Sequence, residues 1–136
     1  MTETTEHEAG RAVLRLDGAN KTYRQGPVEV VALAPTDLTI TIGQFVAVMG
    51  PSGSGKSTLL LLLGSLLDPT SGDVLIDGAR VGALSVPDRA RLRRRSVGFV
   101  FQELNLIPGL TALENVTLPR ELDGVSFGKA RREALE

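Results

Sequence analysis

The sequence predicts an α/β fold in which a buried strand passes through a glycine-rich phosphate-binding loop into an apolar helix, behind a set of short antiparallel strands. Three observations carry this prediction. Gly50-Pro51-Ser52-Gly53-Ser54-Gly55-Lys56-Ser57-Thr58 fits the pattern G-x-x-x-x-G-K-[ST]. The apolar run Phe45-Val46-Ala47-Val48-Met49 leads straight into it, and the leucine-rich run 59–67 follows, which is the strand–loop–helix context the pattern requires. Ahead of them lie short, closely spaced apolar segments with strand character. An accidental Gly/Ser turn would reproduce the letters but has no reason to carry those flanks.

The residue types have a chemical rationale. A triphosphate carries several negative charges that must be held away from bulk water. Main-chain N–H groups and the positive end of a helix do this well. Gly50, Gly53 and Gly55 remove side chains where the backbone must come close, and they permit positive φ. Lys56 can place its ammonium between the β- and γ-phosphates. Ser57 offers a hydroxyl to a Mg²⁺ ion that bridges the same oxygens.

The chain of 136 residues is the size of one ordinary domain, and 42% hydrophobic residues suffice for a core. A net charge of -1 removes any global drive toward nucleic acid or anionic lipid. There is no cysteine, hence no disulfide and no thiolate metal site. The start, Met1-Thr2-Glu3-Thr4-Thr5-Glu6-His7-Glu8, is acidic and polar, so it is no signal peptide, and residues 1–10 are expected to form a disordered tail. His7, the sole histidine, falls in that tail and is expected to be solvated. The leucine block is far shorter than a membrane span and reads as a buried helix.

Taken in order, residues 12–16 read as a strand closed by Asp17-Gly18, and Gln25-Gly26-Pro27 as a turn. Residues 28–33 and 38–42 read as two further strands, the latter with Leu38, Ile40 and Ile42 on one face. Their spacing predicts antiparallel pairing. The segment 45–49 is apolar throughout, as a strand covered on both faces should be. The helix after the loop is expected from Lys56 to about Leu67, stopping before Asp68-Pro69. Residues 72–78 predict a short strand ending in an Asp-Gly turn. Ser85-Val86-Pro87-Asp88 has the form of a capping box and opens a helix to about Arg95. Residues 97–101 predict another apolar strand, with Gln102 at its end, where a parallel sheet faces its ligand crevice. Thr111-Ala112-Leu113-Glu114 is a second capping box, whose helix should end before Pro119. Ser126 is placed to cap a last helix over 127–136.

The helix after Ser85 holds Arg89, Arg91, Arg93, Arg94 and Arg95. No aromatic residue interleaves with them and the chain is not basic. A solvated face with Ala90 and Leu92 turned inward is therefore preferred to a nucleic-acid patch.

At matching spacing, the loop 50–58, Tyr23 upstream and Val97-Gly98-Phe99-Val100-Phe101-Gln102 downstream resemble the ATP-binding subunits of ABC transporters. The branch in question serves lipoprotein release, macrolide export and the cell-division transporter. The flanks agree: Arg93-Arg94-Arg95 before that segment, then Asn105-Leu106-Ile107-Pro108 and Thr111-Ala112-Leu113-Glu114-Asn115-Val116 after it. The likeness runs from about Ala12 to the end of the chain. It implies a P-loop NTPase fold with a RecA-like core and N-terminal antiparallel strands, residues 11–136 forming part of a nucleotide-binding domain. It implies an ATP hydrolase that uses ATP and Mg²⁺. Gly50, Pro51, Ser52, Gly53, Ser54, Gly55, Lys56, Ser57 and Thr58 would hold the nucleotide, with Tyr23 stacked on adenine. Ser57 and Gln102 would reach the metal, and Lys56 and Gln102 would serve catalysis. The implied partners are a membrane permease subunit, touched by the loop 103–108, and a second copy of the nucleotide-binding subunit, with no nucleic acid. The implied location is cytoplasmic, peripheral on the inner face of the plasma membrane.

The sequence departs from that family's pattern in its later elements. It has no LSGGQ-type signature, no apolar strand ending in Asp-Glu (the Walker B element) and no switch histidine. Val74-Leu75-Ile76-Asp77 looks like a Walker B strand, but Gly78 follows it and it comes too soon after the loop. Phe99-Val100-Phe101-Gln102-Glu103 has Gln where the metal-holding Asp should stand. The expectation is the N-terminal portion of a longer ATPase, truncated before the signature and Walker B elements and unable to turn over alone. Two rival readings stay open on the residues: another phosphate-loop enzyme such as a small-molecule kinase or GTPase, and a non-catalytic nucleotide-binding module. The strands ahead of Gly50 argue against the first of these, because such enzymes usually carry the loop near the N-terminus.

Overall fold

The computed structural model describes residues 10–103 and 105–136. His7, the expected tail apart from Gly10, and Leu104 lie outside the described residues. Contacts divide the chain into two compact units, the first running to Arg89 and the second covering Ala90–Glu136.

The first unit is built on an antiparallel sheet in the order β2-β1-β3-β4. Strand β1 is Ala12–Gln25 and β2 is Val28–Thr41, joined by a tight turn at Gly26. Each is one long strand where shorter ones were expected. Asp17-Gly18 does not close the first strand. The chain instead bulges between Leu16 and Ala19, with Gly18 at φ +55 and its N–H given to the Asp37 carboxylate at 2.6 Å. A bulge absorbs the extra residue and pairing resumes beyond it. Pro35 is accommodated within β2 because that strand lies at the sheet edge, where a missing N–H costs no ladder bond. The expected alternation holds for Leu38 and Ile40, which are half-buried beside exposed Thr39, whereas Ile42 lies past the strand end and is exposed.

Strand β3, Ser71–Ile76, pairs with β1, and β4, Ala79–Arg80, pairs back on β3. Asp77 and Gly78 both take positive φ, +48 and +79, the signature of a tight hairpin turn. The Walker B lookalike is thus one arm of an antiparallel hairpin, with Asp77 paired to Arg11 at 3.2 Å. At the other end of β3, Gly72 sits at φ +78 against the β1 bulge, where a Cβ would meet the Gly18 carbonyl and lie 2.6 Å from Ala19 Cα. Only glycine lets the two backbones approach so closely. A single 3₁₀ turn, Val81–Ala83, follows β4.

Helix α1, Lys56–Leu63, packs on β1, β2 and β3. It buries Leu62 and Leu63 against Leu16, Ala19, Val74, Ile76 and Val81, which form the core of this unit. Full burial of one such leucine contributes about 1.5–3 kcal/mol. The helix ends earlier than the expected Leu67. Ser65 takes φ +56, its N–H bonds to Leu62 O at 2.9 Å, and the Leu66 N–H reaches Leu61 O at 2.9 Å. That is a Schellman termination with serine at the left-handed position normally given to glycine.

Two expected strands are not formed. The segment 45–49 has no strand hydrogen bonding, and Phe45 and Met49 are 95% and 88% exposed. A strand apolar on both faces needs neighbours on both edges, and none pairs with it among the described residues. The segment 97–101 is likewise irregular, with Phe99 and Phe101 stacked on each other, ring centres 5.3 Å apart.

Helix α2, Val86–Ser96, begins in the first unit and continues into the second. The expected capping box is half formed: the Asp88 N–H bonds Ser85 Oγ at 3.3 Å, and the Ser85 hydroxyl, rather than its backbone N–H, donates to the Asp88 carboxylate. Arg89 pairs with Asp68, and Ala90 and Leu92 are partly buried. Helices α3, Ala112–Leu122, and α4, Phe127–Leu135, pack together and bury Thr117 and Ala130. The Thr111–Glu114 capping box forms as expected. Pro119 does not end α3 but lies inside it. Interior proline costs a helix ~3 kcal/mol; the reciprocal cap at Thr111 and the packing on α4 act against that cost. Ser126 stands at the N-cap of α4 as expected but makes no side-chain cap bond. The Asp123 carboxylate accepts from Arg94 Nε at 3.0 Å and Arg95 Nε at 3.2 Å. Arg94 first, with Arg95 beside it, holds that carboxyl below its usual range against the opposing effect of desolvation.

Candidate phosphate-binding site

The loop 50–55 leaves the irregular segment 45–49 and turns directly into α1. Gly55 is the hinge. It is the helix N-cap, in left-handed conformation at φ +88, and its Cα faces β2 so closely that a Cβ would stand 2.6 Å from Ala32 O. A side chain here would push the loop off the sheet. Because Gly55 has no side chain to cap the helix, the N–H groups of the first turn of α1 have no intrahelical partner and no side-chain partner from the cap. They are the donors that an anion would take, at the end of the helix where the dipole favours one.

The Lys56 side chain folds back over the loop. Its ammonium donates to Gly50 O at 2.8 Å, to Pro51 O at 2.6 Å and, at 3.4 Å, to Ser54 Oγ. A further bond, Ser54 N–H to Pro51 O at 3.3 Å, tightens the same turn. Next to it opens a cleft of about 630 Å³. One wall is Val30, Val31 and Ala32 of β2, and the other is Ser52, Gly53, Gly55, Lys56, Ser57 and Thr58. This concave site combines one cation, three hydroxyls and bare main chain, which is the donor set for a phosphate chain.

The other expected site residues are less gathered. Tyr23 stands on β1 opposite Val30, is 44% exposed, and carries the Lys21 ammonium over its ring at 5.3 Å. It is not among the cleft lining, although its cross-strand neighbour Val30 is. Gln102 is exposed, at a bend in the second unit. Sequence reasoning missed β2 as a wall of the cleft. The one available signal was the run Val28-Glu29-Val30-Val31-Ala32, too apolar for a strand that lies at a sheet edge. Among the described residues no cluster of His, Cys, Asp or Glu is able to hold a metal. No helix among them is long and apolar enough to cross a membrane.

A sheet-backed glycine loop, its lysine and an uncapped helix start define a phosphate-loop protein. The sequence pattern of the family described as ABC transporter matches residues 33–136, and the chain belongs to that family. It is 46% identical over 136 residues to the lipoprotein-releasing system ATP-binding protein LolD of Xanthomonas campestris pv. campestris, covering 100% of this chain and 57% of the relative. It is 47% identical over 126 residues to the macrolide export ATP-binding/permease protein MacB of Brucella abortus, covering 93% of this chain and 20% of that protein. Among solved structures it is similar to the dimeric, post-hydrolysis ATP-binding cassette MJ0796 bound to ADP and Pi, from Methanocaldococcus jannaschii. The TM-score is 0.83 at 45% identity, over 90% of this chain and 54% of that one. The chain thus spans little more than half the length of LolD and of MJ0796. Membership of this family, matched across the phosphate loop, stands against the kinase and GTPase alternatives.

Proposed function

We propose that this chain is the nucleotide-gripping part of the ATP-binding subunit of an ABC transporter, which couples ATP binding and hydrolysis to transport across a membrane. The observation that carries the reading is the Lys56 ammonium, fixed by Gly50 O and Pro51 O beside a cleft lined by the uncapped start of α1. Residues 11–136 form part of the nucleotide-binding domain in this reading. The loop residues 50–58 wrap the phosphates, and Lys56 neutralises their charge. Tyr23 offers its exposed ring to adenine, a contact worth ~1–3 kcal/mol.

The residues fit a magnesium ion only as part of a nucleotide complex. Mg²⁺ takes few protein ligands when phosphates supply the rest, and the Ser57 hydroxyl lines the cleft where one is needed. When bound, the ion would neutralise phosphate oxygens; Gln102 is assigned to the same ion or to the attacking water. The partners are a membrane permease subunit and a second copy of the nucleotide-binding subunit, with no nucleic acid. The location is cytoplasmic, peripheral on the inner membrane face. Without Walker B carboxylates, signature or switch histidine, the chain alone is expected not to hydrolyse ATP steadily.

Calorimetry with ATP and Mg²⁺ tests this. The unaltered chain should bind, and Lys56→Ala should weaken binding by at least about tenfold, since a charge-assisted bond is worth ~1.5–3 kcal/mol. A folded sample that gives no heat would overturn the reading. Steady turnover that Lys56→Ala abolishes would overturn the claim that this chain is not a complete enzyme.

A further inference from the structure

Lys21 and Tyr23 stand two positions apart on β1, so their side chains share one face of the strand. The Lys21 ammonium lies over the Tyr23 ring, 5.3 Å from its centre. Its place is fixed from elsewhere in the fold: it donates to Asp68 O at 2.7 Å, in the segment that follows α1. The Asp68 carboxylate is engaged by a different cation, Arg89. Among the described residues no carboxylate pairs with Lys21. The ammonium is therefore held by a neutral carbonyl and keeps its whole charge above the ring.

A cation in that position is attracted to the electron-rich face of the ring and draws density from it. With one face of Tyr23 taken, a flat group has the other to stack on. A ring drained from behind also repels an electron-rich partner less, because the density on its open face is what opposes stacking. The ring adjoins the cleft. Tyr23 is directly opposite Val30, which lines it, and side chains paired in this way stand about 4.5–5.5 Å apart at Cβ. Helix α1 connects the two places: Lys56 is its first residue, and the carbonyl that anchors Lys21 lies shortly past its end.

We infer that Lys21 is a positioning residue: from the closed face of Tyr23 it orients and polarises the ring for a base whose phosphates occupy the cleft. That the base is adenine rests on the function proposed above; the ammonium, its carbonyl anchor and the ring do not. A ring fixed in advance spares the ligand the entropy of ordering it.

Calorimetry on the full chain with two magnesium-loaded ligands, ATP and inorganic tripolyphosphate, tests this. The second offers phosphates and no base. Lys21→Met keeps much of the side chain's length and removes its charge. It should weaken ATP binding roughly two- to fivefold and leave tripolyphosphate binding unchanged. Lys21→Arg returns a cation to the ring and should recover the ATP affinity. In a Tyr23→Leu background, Lys21→Met should have no further effect. The chain has one tyrosine and no tryptophan, so its ultraviolet fluorescence reports on Tyr23 alone, and ATP but not tripolyphosphate should change it. Equal loss of both ligands in Lys21→Met would show Lys21 acting on the phosphates or on the fold at large, and would overturn the inference. Unaltered ATP affinity in Lys21→Met would overturn it too, as would an equal loss with and without the tyrosine. If Lys21→Met does not fold, Lys21→Gln, which keeps a donor and loses the charge, is read by the same outcomes. No heat from either ligand with the unaltered chain would overturn the proposed function and this inference together, whereas heat from both with no response to Lys21 overturns this inference alone.

Discussion

Two glycines, Gly72 near the start of β3 and Gly78 just past its end, have almost the same backbone angle and very different surroundings, and they make a controlled experiment. Gly72 has φ +78 and Gly78 has φ +79. A Cβ on Gly78 would meet nothing within 4 Å, whereas one on Gly72 would run into Gly18 O and lie 2.6 Å from Ala19 Cα. Alanine at either site incurs the left-handed penalty of about 1–2 kcal/mol. Only at 72 must backbone also give way, and overpacking of this kind adds roughly 1–3 kcal/mol. Gly78→Ala should therefore cost about 1–2 kcal/mol and Gly72→Ala about 2–5 kcal/mol, out of a total of ~5–15 kcal/mol for a typical domain. With urea m-values of ~1–3 kcal/mol/M, the two midpoints should differ by roughly 0.3–3 M, with Gly72→Ala the lower. Far-UV circular dichroism follows the transition. Equal midpoints would refute the claim that the bulge in β1 and the start of β3 are in rigid contact.

Two further expectations concern the surface and the helix cap. The Thr111 backbone N–H first, and its hydroxyl second, hold the Glu114 carboxyl below its usual range. A lowered folded-state value means that the cap's contribution is complete above the ordinary carboxylate range and is lost as pH falls through the folded value. NMR titration should find Glu114 titrating below the unfolded-peptide value, with the start of α3 fraying in step; a midpoint at the peptide value would rule this out. For the bare segment 45–49, Phe45→Lys with Met49→Lys should raise the soluble, monomeric fraction of the isolated chain in light scattering, because charge on an unpaired apolar segment blocks self-association. No change in that fraction would show that the segment does not drive aggregation.

What could be read from the residues follows from where the controlling interactions lie. The loop 50–58, the Ser85 cap, the Thr111–Glu114 capping box and the Asp77-Gly78 turn are local, so the letters themselves dictate them. The antiparallel pairing of β1 with β2 was equally readable, because alternation at Leu38 and Ile40 and the turn at Gly26 are features of short range. The misreadings depend on partners. Residues 45–49 and 97–101 have strand composition, but a strand exists only beside another, and periodicity cannot report whether a neighbour is present. The end of α1 at Leu63 depended on Ser65 accepting a conformation that favours glycine, and Pro119 on support from α4. For the site, Ser52, Gly53, Gly55, Lys56, Ser57 and Thr58, which line the cleft, stand together in the motif itself, whereas the β2 wall required knowing which strand the loop leans on.

The Lys56 ammonium has three hydrogens to give, and two of them already go to Gly50 O and Pro51 O at 2.8 and 2.6 Å. The third reaches only a serine hydroxyl, at 3.4 Å. In the proposed role of Lys56 as a phosphate ligand, that weakly used hydrogen is the one an arriving anion would take, with the other two left in place. The charged arm would then brace the loop with one hand free, and recognition would ask for the release of a single poor contact.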